Sequence, residues 1–414
     1  MADLKKKNSH LQNYLTIILS MLGVYFVISA FTGIWPLSIN NYNSYSLQAQ
    51  RWLEGHLDLG RDYSHLELAF FNDKVYVSFP PFPSFVMLPF VILFGTNTPD
   101  HLITMIIGIV GAIYIYHLAL LKNIPDNKSV FLALFSTIAS NFLFVGANGS
   151  VWFIAQTMSF TLCVMSIYYA STAKQAHAGV SLALWACAVG CRPFQAVYIP
   201  ILLYLIYKKF KNASPDIKFA GLIKQYALAS IGAIVIALVY MTLNYMRFGN
   251  VTEFGHNYLP EFTEAQYGQF SSFYLAENIH RLFRLPSLTD SKALNFPIFD
   301  GVAFWLVSPV FVLYLLMFVI SFFTKDKHDK TILFLTPALI IIHLLLLCMH
   351  RTMGGWQWGN RYTVDAIPFV VLALVHLFPK QELKINLKPY VALMFFIGLG
   401  LNLVGTIALH CGWI

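Results

Sequence analysis

Long apolar runs recur along the whole chain and alternate with short polar segments. Seven of these runs can cross a hydrocarbon core of roughly 30 Å. They cover residues 15–35, 101–121, 151–171, 226–245, 302–323, 332–349 and 390–409. Because lipid offers the backbone no hydrogen-bond partners, a run of this kind satisfies its own amide and carbonyl groups by forming a helix. The pattern predicts an all-α polytopic membrane protein that forms one domain over residues 1–414.

The composition supports this prediction. The chain is 57% hydrophobic and only 11% charged, whereas soluble domains carry roughly 25% charged residues. Four of the five cysteines lie in or beside apolar runs, so we interpret them as space-filling side chains and not as disulfide or zinc ligands. No cluster has metal-ligand spacing, no cofactor is indicated, and no nucleic-acid partner is predicted.

The lysines predict the topology. Seventeen of them cluster in short polar segments, which the positive-inside rule places in the cytoplasm. This arrangement requires about eleven crossings, with a retained first helix, a cytoplasmic N-terminus and an external C-terminus. The short apolar piece 82–94 is broken by Pro83 and Pro89, so we predict a short helix that does not cross. External loops 37–81 and 248–300 then form the active-site face of a multi-pass plasma-membrane protein.

The arginines follow a different distribution from the lysines. All eight fall on the predicted external face, at positions 51, 61, 192, 247, 281, 284, 351 and 361. Lysines alone would be enough to set the topology, so the arginines need a separate explanation. The guanidinium fork suits bidentate binding of phosphate or carboxylate. The face therefore fits an anionic ligand. The alternative is that the arginines pair with external carboxylates, and Arg51, close to Glu54 and Asp58, is the clearest case.

Two stretches resemble a known superfamily. "NNYNSYSLQAQRWLEG" followed by "NDKVYVSFPP" gives an external helix, a strand-like piece and a Pro-Pro pair that opens a short apolar helix. "GGWQWGNRYTVDAIPF" places a Gly-x-Arg-Tyr pattern and a proline before a late span. This frame resembles the GT-C superfamily of polyprenyl-phosphate-sugar-dependent glycosyltransferases, in its protein mannosyltransferase and aminoarabinose-transferase branch. The resemblance implies a GT-C-like bundle.

The resemblance also implies a reaction. A sugar would pass from a polyprenyl-phosphate carrier to an unknown glycan, lipid or protein acceptor on the outer face of the membrane, and bilayer lipids would be further partners. Such a step needs a carboxylate that takes the acceptor proton and cations that stabilise the departing phosphate. By spacing, the family's carboxylate pair corresponds to Asn40 and Asn41, whose amides can hold sugar hydroxyls. Phe79 stands where the family has a lysine.

Other residues of the first loop can replace the missing groups. Asp62 is the preferred base, Glu67 is the second choice and Asp73 follows. Arg61 and Lys74 are candidate phosphate ligands. Elsewhere the sequence offers three more arginines for the phosphate and three ring side chains for the substrate, at positions Arg192, Arg351, Arg361, His256, Trp356 and Trp358.

Each of these residues also has a structural interpretation. Arg192 has no acid near it in sequence, and snorkelling to lipid headgroups would explain it as well as phosphate binding does. Asp365 follows Arg361 by four residues and can orient its guanidinium, or form a plain helical ion pair with it. His256 and His350, the candidate acid-base histidines, can be structural. Trp356 and Trp358 can belong to an interfacial aromatic belt.

Two other functions remain open at this stage. A lipid-linked glycan transporter or flippase would place ionisable groups near mid-membrane and show paired broken repeats. The spans carry almost no charge away from their ends, with His117 and His343 as the nearest exceptions. A non-catalytic GT-C-like protein that binds lipid would explain Asn40, Asn41 and Phe79.

Overall fold

The computed structural model describes residues 2–290, 293–324, 328–378 and 386–414. In the first half of the chain the helices and strands are α1 (Ala2–Thr32), α2 (Ser44–Leu53), β1 (Leu68–Phe71), β2 (Lys74–Val77), α3 (Phe82–Phe94), α4 (Asp100–Leu120), α5 (Asp126–Thr137), α6 (Phe142–Gly146), α7 (Val151–Ser171) and α8 (His177–Val189). In the second half they are α9 (Ile199–Ala213), α10 (Phe219–Phe248), α11 (Pro260–Thr263), α12 (Leu275–Leu282), β3 (Ser287–Leu288), β4 (Leu294–Asn295), α13 (Phe304–Val307), α14 (Val310–Ser321), α15 (Lys330–Cys348), α16 (Ile367–Leu377) and α17 (Lys388–His410).

The predicted all-α membrane bundle is confirmed. Within the described residues, six helices are long and apolar enough to cross a membrane. They are α1, α4, α7, α10, α15 and α17. Shorter apolar helices, among them α3, α8 and α14, lie between these six, and the number of eleven crossings stays a prediction.

Helix α7 lies at the centre of the bundle and packs against α4, α8, α9 and α16. Its close contact with α4 depends on a glycine, since a Cβ atom at Gly111 would lie 2.6 Å from the Thr161 hydroxyl. Small residues at such crossings let helix backbones approach closely in lipid. Phe142 and Phe160, with ring centroids 4.2 Å apart, fill the adjacent space.

The first external loop folds into a helix and a hairpin. Strands β1 and β2 pair antiparallel around Asn72 and Asp73, whose φ angles of 49° and 54° are typical of a tight two-residue hairpin turn. The sequence predicts that β2 is strand-like, but it does not predict strand β1.

The proline-rich segment after the hairpin has the predicted form. Pro81 caps α3, Pro83 lies in its first turn, and Pro89 interrupts its interior. The Phe82 backbone N–H donates to the Gly190 carbonyl at 3.1 Å. This first N–H of α3 has no partner within the helix and is thus satisfied by protein, as a segment that enters a membrane requires.

Three loops form one layer at the same end of the bundle. The ring of Phe71 in β1 lies 4.8 Å from that of Tyr258. The loop that contains Tyr258 joins the segment after α15 through a β-bridge between Phe270 and His350. A second bridge joins Phe299 to Trp356. The segments predicted to be external therefore lie together, and their sidedness remains a prediction.

Thiol labelling tests that sidedness. The segments that hold Lys325 and Lys327, and Lys380 and Lys384, lie outside the described residues, so the exposed Lys218 represents the lysine-rich face. In a Cys411→Ser background, Glu264→Cys should react with a membrane-impermeant thiol reagent on intact cells. Lys218→Cys should react only after permeabilisation, because the positive-inside rule places it in the cytoplasm. Labelling of Lys218→Cys on intact cells would overturn the topology.

Candidate functional site

Arg192 follows α8 and forms an ion pair that the sequence does not predict. Its Nε donates to Asp365 Oδ2 at 3.0 Å, and the Asp365 side chain is 0% exposed. The partner lies 173 residues away along the chain, so the sequence left Arg192 without an acid. The expectation of an unpaired Arg192 is therefore wrong.

Asp365 is fully engaged by its surroundings. Its second oxygen, Oδ1, accepts from Gln156 Nε2 of α7 at 3.1 Å, and its backbone carbonyl accepts from Gln195 Nε2. The Gln156 amide and the Arg192 guanidinium offset part of the cost of burying the carboxylate, and the Gln195 amide fixes the backbone beside it. Asp365 is therefore a fixed anchor that holds the guanidinium of Arg192 in place.

Arg361 is buried without an acid partner. The residue is 6% exposed, its Nη2 donates to the Gly354 carbonyl at 3.3 Å, and its Nη1 has no hydrogen-bond partner in the described structure. Among the described ion pairs, Asp365 pairs with Arg192 and not with Arg361, so the predicted Arg361–Asp365 ion pair is wrong. Burial lowers the pKa of the Arg361 guanidinium, because a desolvated cation without a counter-ion is unfavourable.

The two guanidinium groups share one aromatic ring. The Cζ atoms of Arg192 and Arg361 lie 4.6 Å and 4.8 Å from the centroid of Tyr362. The ring of Phe153 contacts Arg361 from α7 at 5.6 Å. Aromatic faces stabilise cations in desolvated sites. The result is a confined region with two positive groups and one neutralising carboxylate.

Gly354 and Gly355 shape the segment that carries this site. Their φ angles are 108° and 70°, which residues with a side chain rarely adopt. A Cβ atom at Gly354 would also lie 2.8 Å from Oε1 of Gln357, the same atom that accepts from the Arg361 backbone N–H. This backbone conformation places the Gly354 carbonyl against Arg361.

Glu67 is an exposed residue of the first external loop that bonds to the start of α7. Its Oε2 accepts from the indole Nε1 of Trp152 at 3.0 Å, and its backbone carbonyl accepts from the Ser78 hydroxyl. The carboxylate is close enough to act on the pKa of Arg361. The second-choice base of the sequence analysis is therefore bonded to Trp152 of α7, next in sequence to Phe153, whose ring contacts the buried arginine.

His256 and His350 are two neutral histidines that lie close to each other in the external loops. The His256 Nδ1–H donates to the Ser78 carbonyl at 3.2 Å, and burial lowers its pKa to about 3. The ring of His350 lies 6.1 Å from that of His256, and burial lowers its pKa to about 4. Since a carbonyl only accepts, the proton of His256 sits on Nδ1, which leaves Nε2 as a hydrogen-bond acceptor.

Arg351 belongs to the same face. Its backbone N–H donates to the Gln269 carbonyl at 2.9 Å, and its Nη1 is buried without a hydrogen-bond partner in the described structure. Burial and the nearby Glu67 raise the pKa of the Glu261 carboxyl, and Arg351 lowers it. Glu261 therefore feels both the negative charge of Glu67 and the positive charge of Arg351.

Asn40 has a structural role, since its side chain bonds to backbone groups. It is 5% exposed, its Nδ2 donates to the Gly149 carbonyl at 2.8 Å, and its Oδ1 accepts from the Tyr42 N–H. Asn41 is exposed at the surface. Asp100, which sequence reasoning missed, accepts from both Asn40 and Ser46 and is 2% exposed. Its only sequence signal is an acid at the first residue of a span.

The other first-loop residues predicted for the site lie away from it. Asp62 and Arg61 are exposed, with the Arg61 guanidinium 4.6 Å from the Tyr63 ring. Lys74 pairs with Asp58 at 3.9 Å, and Asp58 also pairs with Arg51 at 3.8 Å. In the described structure no hydrogen bond or ion pair joins Asp62, Arg61 or Lys74 to Arg192 or Arg361.

The two predicted tryptophans differ in environment. Trp356 is 67% exposed, whereas Trp358 is 2% exposed. The Trp358 ring packs against Phe296 at 5.0 Å and against Gly405 of α17. Trp356 is therefore open to a ligand, and Trp358 forms part of the core.

The fold has known structural relatives. No protein-family model and no curated protein sequence matches the chain. The crystal structure of ArnT from Cupriavidus metallidurans bound to undecaprenyl phosphate superposes with a TM-score of 0.55 at 12% identity and covers 96% of this chain and 76% of ArnT. The apo ArnT structure gives a TM-score of 0.52 at the same identity and coverage. The predicted GT-C-like membrane fold is confirmed.

Proposed function

We propose that this protein is an integral membrane glycosyltransferase that moves a sugar from a polyprenyl-phosphate carrier to an acceptor at the outer face of the membrane. One observation carries the proposal: Arg361 is buried, lacks an acid partner and leaves Nη1 unbonded in the described structure. An isolated buried cation is costly, and a phosphate would satisfy it with charge-assisted hydrogen bonds. The shared fold with ArnT bound to undecaprenyl phosphate supports the same class of ligand.

Arg192 and Arg361 have different roles in this proposal. Arg192 is already neutralised by Asp365, so it adds hydrogen-bond donors more than net charge. Arg361 supplies the uncompensated charge, and both guanidinium groups lie against the Tyr362 ring. We propose that the carrier phosphate lies against Arg361 and that the carrier lipid remains in the bilayer.

Glu67 is the proposed base. Its carboxylate accepts one hydrogen bond, from Trp152, and keeps lone pairs free for an acceptor hydroxyl. As the acceptor oxygen bonds to the anomeric carbon of the donor, Glu67 takes the hydroxyl proton. The bond between that carbon and the phosphate oxygen breaks, and its electron pair leaves with the phosphate. Arg361 stabilises the charge that develops there.

The phosphate site can be tested by Arg361→Lys. Lysine keeps the charge but loses the planar fork, so affinity for undecaprenyl phosphate should fall by about tenfold or more. Binding to detergent-solubilised protein and turnover with polyprenyl-phosphate sugars are the measurements.

The matched control for this experiment is Arg51→Lys. Arg51 forms an exposed ion pair with Glu54 at 2.5 Å, and such a pair tolerates the exchange. If folded Arg361→Lys binds and uses the donor as well as Arg51→Lys does, the phosphate site is not at Arg361.

A second function has one specific observation in its favour. Asn40, at the position of the family's carboxylate, is buried and bonded to Gly149 and Tyr42, which suits a GT-C-like protein that binds carrier lipid without catalysis. Tight undecaprenyl-phosphate binding combined with no sugar transfer from any polyprenyl-phosphate sugar would favour this function over the enzyme.

A further inference from the structure

A row of aromatic side chains leads outward from Glu67. The ring centroids of Trp152 and Tyr42 are 5.3 Å apart, those of Tyr42 and His65 are 6.0 Å apart, and those of His65 and Tyr63 are 6.4 Å apart. We call Trp152, Tyr42, His65 and Tyr63 the aromatic row. Its members come from the first external loop and the start of α7, and the proposed donor site uses none of them to hold phosphate.

Each end of the row carries a polar group. At the inner end, the Trp152 indole N–H is bonded to Glu67 Oε2 at 3.0 Å. At the outer end, the Arg61 guanidinium lies 4.6 Å from the Tyr63 ring centroid. Aromatic faces flanked by a few hydrogen-bonding groups are typical of ligand sites.

The row is held in place by the backbone. The Tyr42 N–H donates to Asn40 Oδ1 at 3.0 Å, and the Val151 N–H donates to the Tyr42 carbonyl at 2.9 Å. His65 Nε2 donates to the Asn41 carbonyl at 3.1 Å. Tyr42 nevertheless remains 40% exposed. The rings are therefore both accessible and pre-positioned, which lowers the entropic cost of binding.

We infer that the aromatic row is the binding subsite for a carbohydrate acceptor. A pyranose presents C–H groups on its ring faces and hydroxyls around its rim, so it stacks on aromatic faces and bonds to charged groups at their edges. The row offers both, and its inner end places a bound hydroxyl next to the Glu67 carboxylate. The inference rests on the proposed function for its role in catalysis, and saccharide binding itself does not depend on the donor.

An interfacial aromatic belt is the competing explanation. Belt residues ring the bundle at the depth of the lipid headgroups. His65 and Tyr63 instead lie in the loop between α2 and β1, and the four rings contact one another in sequence from that loop to Glu67. A belt also needs no carboxylate, whereas the row ends on one.

A glycan array provides the direct test. Detergent-solubilised protein should bind one or more immobilised hexose, N-acetylhexosamine or pentose oligosaccharides. Tyr42→Ala and His65→Ala should each weaken that binding by about tenfold, the effect of losing one stacking contact of ordinary strength. Tyr267→Ala is the matched control, since Tyr267 is also 40% exposed and lies in the other large external loop.

The outcomes separate the inference from the proposed function. If the wild-type protein binds no oligosaccharide, or if Tyr42→Ala binds as well as Tyr267→Ala, the aromatic row is not a saccharide subsite. Undecaprenyl-phosphate binding by the same samples tests the donor site separately. Tyr42→Ala should leave that affinity unchanged, and Arg361→Lys should lower it while glycan binding persists.

Discussion

Glu67→Gln should lower sugar-transfer turnover by at least about 10²-fold, the usual effect of losing a general base. Glutamine has nearly the same shape and keeps a carbonyl oxygen that can accept from the Trp152 indole N–H. It cannot take a proton. Binding of undecaprenyl phosphate should change little, because Arg361 makes that contact. Initial rates with a polyprenyl-phosphate sugar donor and lipid-binding measurements on the same preparation check both expectations.

Asp62→Asn is the control that decides between two assignments. Sequence position favours Asp62 as the base. In the structure both carboxylates are exposed, but Glu67 is bonded to Trp152 of α7 and its charge raises the pKa of Arg361. We expect Asp62→Asn to retain turnover close to wild type. If Asp62→Asn is inactive and Glu67→Gln is active, the assignment from sequence is correct and ours fails.

The overall fold could be predicted because lipid makes the sequence pattern unambiguous. A run as apolar as α4 or α15 has few alternatives to a membrane helix. The Pro-Pro pair likewise marked the start of α3. The strand β1 was missed because its sequence, Leu-Ala-Phe-Phe, has no polar alternation, and only pairing with β2 identifies it as a strand.

The site was harder to predict because its key contacts join residues that are far apart in the sequence. Arg361 and Glu67 were both named from sequence, but in the described structure they are connected through α7, where Trp152 bonds to Glu67 and Phe153 contacts Arg361. The pairing of Arg192 with Asp365 spans 173 positions. No local spacing rule can detect a contact of that kind.

The ion pair between Arg361 and Asp365, one of the two alternatives from sequence, does not form, for a local reason. The prediction assumed an α-helix, in which positions four apart lie on one face. Residues Arg361–Ala366 instead form a 3₁₀ helix, which has about three residues per turn, so positions four apart point roughly 120° away from each other. Asp365 therefore faces Arg192, and Arg361 is left without a carboxylate partner.

Asp365→Ala should destabilise the protein by about 3–5 kcal/mol, the usual cost of removing one member of a buried ion pair. The substitution leaves the Arg192 side chain, which is 18% exposed, without its counter-ion. It also removes one of the two acceptors of the Gln156 amide, which keeps its bond to the Arg361 carbonyl, and the N–H left unsatisfied adds to the loss. Equilibrium unfolding in mixed detergent micelles measures the change in free energy.

Two further variants separate the buried pair from surface electrostatics and from function. Glu277→Ala breaks the ion pair with Arg281, in which the Glu277 side chain is 66% exposed, and should cost at most about 1 kcal/mol. The double variant Arg192→Met with Asp365→Leu removes both charges, so it should recover most of the stability lost by Asp365→Ala. The double variant lacks the fixed Arg192 guanidinium that would bind the donor phosphate. Its affinity for undecaprenyl phosphate should therefore remain low even though its stability is recovered. A double variant that is stable and also binds the carrier normally would show that the Arg192–Asp365 pair serves the fold alone.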